Sequence, residues 1–297
     1  MQIYALPNVG NAGLGNQLFP WARAELFARK SGARILAPLW GTFRLGPYFR
    51  GEAEKRHYGG FFRAPHHVHG IRRMVVRSSC TRIPETDVEL LAPSGGPDCV
   101  VEFTGIQNLF SPLLGESKFI RESLWVMTRE RHHPPGNLYG KHFIAMHIRR
   151  GDLTRQGFTE SELAGVLQFT ALEWFISMAK LVSQPDTGGP LPLVIFTDGF
   201  DKEVAPLMEL PGVVIHERRS ALTDLWIMSR ASVFIASGFS TFSMWASYIG
   251  GMPTLYAPGK IQQYVQGPPG KSMEYEIGPD DQLPDALLCY VNSLKVL

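Results

Sequence analysis

The sequence predicts an α/β protein built from two Rossmann-like domains facing across a cleft. Short apolar runs alternate with amphipathic stretches along most of the 297 residues. A Pro/Gly-rich segment, "RHHPPGNLYGK" at 131–141, divides the alternation into two halves. In the second half the polar residues collect where the apolar runs stop. Strand–helix repeats with short connections demand right-handed crossovers and a mostly parallel sheet.

In order, "QIYAL" (2–6) reads as a strand and "PNVGNAGLGNQ" (7–17) as a Gly/Asn-rich turn. The helix after it places Leu18, Trp21, Ala22, Leu26 and Phe27 near helical spacing, and Gly32 stops it. Pro20 is expected in that helix's first turn, where its missing N–H costs least. "ARILAPLW" (33–40) is a second apolar run. Residues 41–100 are irregular, with short helices expected near 68–76 and 85–92. "CVVEFTGI" (99–106) reads as a strand and 118–130 as a helix. Pro134, Pro135, Gly136 and Gly140 then break both helix and ladder, which sets the expected boundary between domains 1–135 and 136–297.

Beyond the boundary, strands are expected at 142–150, 192–198, 212–217, 232–237 and 252–257. Helices are expected at 170–183, 201–209, 220–231, 240–250 and 284–297.

Composition narrows the function. With 44% hydrophobic and 19% charged residues the chain is ordinary globular protein. A net charge of +2 gives no argument for nucleic acid. Charge is uneven, however. Nine Arg or Lys lie from Arg44 to Arg82, against Glu52 and Glu54 alone. That excess suits an acidic acceptor, a phosphate-bearing carrier or a lipid surface, and equally a solvated basic face. Three widely spaced cysteines fit a reduced, cytoplasmic chain, peripheral to a membrane at most. No signal segment and no run of about 18 apolar residues is visible. "HHVH" (66–69) lacks neighbouring carboxylates in sequence, so no metal centre is expected.

Ligands of open parallel sheets gather at the carboxyl ends of the strands. His147 to Asp152, Asp198, Glu217 and Ser237 fall at such ends. Arg149 and Arg150 are adjacent, so on a regular strand they point to opposite faces and only one meets a ligand. A guanidinium fork matches a diphosphate. After Ser237, Gly238 permits a tight approach, and Ser240, Thr241 and Ser243 open a helix whose first turn suits an anion. Ser240 is the expected cap. "GLGNQL" does not complete a GxGxxG fingerprint, because Leu18 stands at the third glycine position.

Three segments together carry a family resemblance. Gly13 to Phe19 reads "GLGNQLF", His147 to Asp152 reads "HIRRGD", and Gly238 to Ala246 reads "GFSTFSMWA". In this order and spread they resemble the inverting fucosyltransferases, most closely the α-1,2-fucosyltransferase family. The resemblance implies a GT-B-like fold and metal-independent, inverting transfer of L-fucose from GDP-β-L-fucose to a glycan hydroxyl, with no cofactor. It implies an acceptor side at 1–135, with a glycan or lipid-linked acceptor, and a nucleotide-sugar side at 136–297. Arg149 would meet the donor's β-phosphate and His147 would lie by the nucleotide. Asp198 would read the guanine edge. Ser237, Ser240, Thr241 and Phe242 would line the phosphate, with Gly15 and Asn16 near donor and acceptor. Asp152 and Glu160 are both candidates for the general base. A glutamate shortly after the arginine motif takes that role in a related α-1,6 branch, which favours Glu160 by position. This chain departs from the pattern at Gly199, where relatives carry a second Asp, and at Gly238 and Met244, where Asn and Trp are common. Those departures keep two alternatives open: the same fold acting on another nucleotide sugar, or a non-catalytic nucleotide-sugar or glycan binder.

Overall fold

The computed structural model describes residues 2–41, 57–90, 96–150, 163, 165–183 and 191–295. The chain divides into two compact units, Met1–His132 and His133–Leu297. Each has its own parallel sheet.

In the first unit the strands are β1 (Ile3–Asn8), β2 (Arg34–Ile35), β3 (Thr81–Pro84) and β4 (Cys99–Thr104), in the order β2-β1-β4-β3. All pairings are parallel, with Ala5 opposite Val101 at the centre. Helix α1 (Leu14–Ser31) packs Ala24 into the cluster that holds Ala5, Ile35, Val101 and Phe103. Among the described residues the unit also has α2 (Gly70–Ser79) and α3 (Ser117–Met127).

The α1 boundary corrects one expectation. The helix starts at Leu14, capped by Gly13, so "LGNQ" is already helical and Pro20 lies inside the helix rather than in its first turn. Gly13 accepts from the N–H groups of both Asn16 and Gln17, closing that turn early. Leu14 and Leu18 are buried, and their burial outweighs the hydrogen bond that Pro20 cannot donate.

In the second unit the strands are β5 (Ile144–Ile148), β6 (Leu193–Thr197), β7 (Val213–Ile215), β8 (Val233–Ile235), β9 (Thr254–Tyr256) and β10 (Glu274–Glu276). Their order is β10-β9-β8-β5-β6-β7, again all parallel. Read from β5, that is the doubly wound order, in which the direction of winding reverses between β5 and β8. β5, β8 and β9 are buried along their whole length, as a sheet covered on both faces requires. Among the described residues its helices include α4 (Leu172–Ser183), α5 (Ala221–Met228), α6 (Thr241–Gly250) and α7 (Asp285–Lys295). The core joins Ile144, Met146 and Ile195 to Phe175 and Met178 of α4 and Leu287 and Val291 of α7. The helix expected at 201–209 is two short 3₁₀ turns, Asp201–Glu203 and Ala205–Glu209, because Pro206 cannot continue the first. The fold class is α/β and GT-B-like.

Candidate functional site

A polar cluster occupies the carboxyl ends of β5, β6 and β8, at the point where winding reverses. Ser237, just past β8, is 1% exposed and ties the two central strands together. Its Oγ donates to the carbonyl of His147 at 2.9 Å and accepts from the N–H of Arg149 at 2.9 Å. The chain leaving β5 is therefore held in place before its arginine side chain begins.

The two arginines take different environments. Arg150 is buried at 2% exposure. Its Nη1 donates to the carbonyl of Thr170 at 2.9 Å, and its guanidinium lies 4.7 Å from the centre of the Phe169 ring. Its N–H donates to Asp198 Oδ1 at 2.7 Å, which pins the end of β6 to the end of β5. Arg149 is half-buried. Strand alternation is not the cause, because β5 ends at Ile148 and both arginines lie just beyond it; the Thr170 carbonyl and the Phe169 ring hold Arg150 inward.

Gly199 explains one departure in the motif. A Cβ built there would lie 2.6 Å from the Cβ of Arg150 and 2.6 Å from Glu203 Oε2. The position after Asp198 has no room for a side chain while Arg150 is packed as it is. Its carbonyl also accepts a hydrogen bond from Nη2 of Arg218, beyond β7.

The β8–α6 turn supplies a positive end. Ser240 caps α6 by accepting from the N–H of Ser243. Phe239 has φ +49°, a left-handed conformation that a bulky residue adopts at a cost. Beside it, a Cβ on Gly238 would meet Lys260 Cβ at 2.4 Å and the Lys260 carbonyl at 3.0 Å. The Lys260 ammonium donates to the carbonyls of Val166 and Leu167, and burial lowers its pKa.

His147 lies between these parts. It is buried, its Nδ1 is 2.7 Å from Ser243 Oγ, and its ring centre is 5.5 Å from that of Phe242. Burial, helped by neighbouring Arg149 and opposed by Asp198, pushes its pKa down to about 4. The ring is neutral near pH 7. Beside it, Arg149 and the amino end of the α6 dipole supply positive charge, so the surroundings suit an anion.

Of the residues singled out from sequence, His147, Arg149, Asp198, Ser237, Ser240, Thr241 and Phe242 all fall on these three strand ends and the α6 turn. Gly15 and Asn16 sit in the first turn of α1, in the other unit. Asp152 and Glu160 lie outside the described residues. Glu217, expected to join the cluster, has a side chain 89% exposed. Its neighbour His216 is buried instead, between Tyr139 Oη at 2.6 Å and Asp224 Oδ1 at 2.9 Å. Sequence reading missed Thr170 and Lys260. Each comes to the site from a connection, and only the sheet order reveals that. Among the described residues, no group of His, Cys, Asp and Glu is arranged to hold a metal ion.

Comparison with solved structures matches this architecture over most of the chain. The α-1,6-fucosyltransferase NodZ soaked with GDP-fucose aligns with TM-score 0.50 at 16% identity, covering 87% of this chain and 96% of that one. The fold is theirs. A selenomethionine form of the fucosyltransferase NodZ from Bradyrhizobium aligns with TM-score 0.51 at 14% identity, over 88% of this chain and 96% of that one. POFUT1 in complex with GDP-fucose aligns with TM-score 0.51 at 11% identity, over 85% of this chain and 96% of that one. No protein-family model matches the sequence. No curated protein matches it either.

Proposed function

We propose that the chain is a fucosyltransferase that moves L-fucose from GDP-β-L-fucose to a glycan hydroxyl, with inversion and without a metal. The observation that supports this reading is the join of β5, β6 and β8, in which Ser237 accepts from the N–H of Arg149 and Asp198 accepts from the N–H of Arg150. It fixes the backbone of Arg149 at the reversal point of a doubly wound sheet, and such points are where these sheets bind nucleotides. The solved GDP-fucose complexes of the same fold support the choice of donor. So does the resemblance of the three sequence motifs.

In this reading residues 136–297 hold the donor and 1–135 face the acceptor. Arg149 and the first turn of α6 receive the negative charge that gathers on the departing diphosphate. Ser240, Thr241 and Phe242 line the phosphate, and His147 stays neutral beside it. Asp198 faces the base. The motif resemblance gives Gly15 and Asn16 a part in donor and acceptor binding, and Asp152 or Glu160 removes the acceptor proton. The α-1,2 linkage rests on the motifs, since NodZ is an α-1,6 enzyme.

The test is a thermal-shift screen of GDP, UDP and their sugars, followed by turnover in EDTA. GDP and GDP-fucose are expected to raise the melting temperature, by about 2.7 kcal/mol of stability at a hundred times Kd. GDP-fucose is then consumed in EDTA with a glycan acceptor. Stabilisation by UDP compounds alone would assign another donor. GDP binding without turnover of any donor would mark a binding protein, and a strict need for Mg²⁺ or Mn²⁺ would overturn the metal-free step. Linkage analysis of the product decides between α-1,2 and α-1,6.

A further inference from the structure

Helix α2 is built with its apolar side outward. Ile71, Met74 and Val75 are spaced i, i+3 and i+4, so they form one stripe along its ten residues. They are 81%, 67% and 54% exposed. The side that meets the protein is much less apolar. It contributes Val76, buried among Tyr4, Leu6, Leu36, Val68 and Val100, and Arg73, whose Nε donates to the carbonyl of Ala37 at 2.8 Å. Single exposed apolar residues are ordinary, but three in one stripe on a short helix call for a partner.

The surroundings state the partner's chemistry. Arg72 and Arg77 flank the stripe on its two sides by helical spacing, and both are exposed. Arg82 donates to the carbonyl of Arg77 and extends the cationic rim. From His57 to Pro84 the sequence holds no Asp or Glu. An apolar stripe between arginines whose stems are apolar and whose heads are charged is the pattern of a helix lying at a lipid interface. A protein partner fits less well. A helix of ten residues is about 15 Å long. Three side chains on it fall short of the roughly 800 Å² per partner that a stable protein interface buries. A bilayer surface sets no such minimum and supplies anionic headgroups around the insertion.

We propose that the α2 face docks the first unit reversibly on an anionic lipid surface. Ile71, Met74 and Val75 enter the headgroup–acyl boundary, and Arg72, Arg77 and Arg82 meet lipid phosphates. This stands independently of the transfer proposed above.

The experiment is co-sedimentation of the full chain with vesicles of phosphatidylcholine, alone or mixed with phosphatidylglycerol, at low and high salt. Binding is expected on the mixed vesicles and not on the neutral ones, and it weakens as salt rises. The pair Ile71→Glu with Met74→Glu is expected to abolish it. The pair Arg72→Gln with Arg77→Gln is expected to reduce partition roughly tenfold or more. Circular dichroism melts confirm that both variants fold, and Arg73 is left intact because it holds Ala37. Failure to bind mixed vesicles overturns the proposal. So does equal binding to neutral vesicles, or binding that survives both pairs of changes. A lipid-free dimer that the Ile71/Met74 change dissolves, without vesicle binding, would instead assign the face to a second copy of the chain.

Discussion

Arg149 and Arg150 are the residues on which structure and chemistry divide. Arg150 fills its site as a packed side chain, with the Thr170 carbonyl on one nitrogen and the Phe169 ring against its plane. Truncating it leaves a cavity and a buried carbonyl short of a donor. Arg150→Ala should therefore cost about 2–4 kcal/mol of stability, read by denaturant melts. Arg149, half-buried at the strand end, has a different prediction. Arg149→Ala should lower kcat/KM by on the order of a hundredfold or more, through lost stabilisation of the leaving diphosphate, with little change in the melt. Near-normal turnover in Arg149→Ala would remove the phosphate role. An Arg150→Ala protein as stable as the parent would remove the scaffold role.

At the scale of elements, the β8–α6 turn and the connection after β9 are fitted to each other through a missing side chain. Gly238→Ala drives a methyl into Lys260, at 2.4 Å from its Cβ and 3.0 Å from its carbonyl oxygen. One of the two segments must shift, which should cost about 1–3 kcal/mol. It should also raise KM for the donor, because Lys260 and the start of α6 move apart. An unchanged melt and KM would show that the fit is loose. The same scale explains what the sequence revealed and what it concealed. β5, β6 and β8 were legible because each is a short apolar run that ends on a polar residue, and the ends of those runs carry His147, Arg149, Asp198 and Ser237. Two edge strands were not. β3, "TRIP", is mostly exposed and offers no apolar pattern. β10, "EYE", buries Glu274, whose Oε2 accepts from the N–H groups of Val265 and Gln266. A glutamate reads as surface until the loop that satisfies it is known. The helix start at Leu14 was hidden for a related reason. Glycines at 13 and 15 read as turn, yet Gly13 is the cap and Gly15 is buried within the helix, and that burial depends on residues far along the chain.

For the molecule as a whole, the buried histidine of the site ties global stability to pH. His147 has a pKa near 4 when folded, chiefly because burial disfavours its charged form and Arg149 adds to this. In the unfolded chain a histidine titrates near 6.5. Between those values the unfolded chain binds a proton that the folded protein refuses, so protonation favours unfolding. The contribution is fully present above about pH 6.5 and is lost as pH falls towards 4, by roughly 3 kcal/mol in total. Carboxylates add their own acid dependence, and Glu274, whose pKa burial raises, acts with the opposite sign. Both are common to a variant in which His147 alone is changed. His147→Gln keeps a polar partner for Ser243 and cannot take up a proton. The difference between the two stability curves, from denaturant melts at a series of pH values, should slope between pH 6.5 and 4 and be flat above it. Parallel curves across that window would show that the folded protein accepts the proton after all, and the neutral ring beside Arg149 would have to be given up.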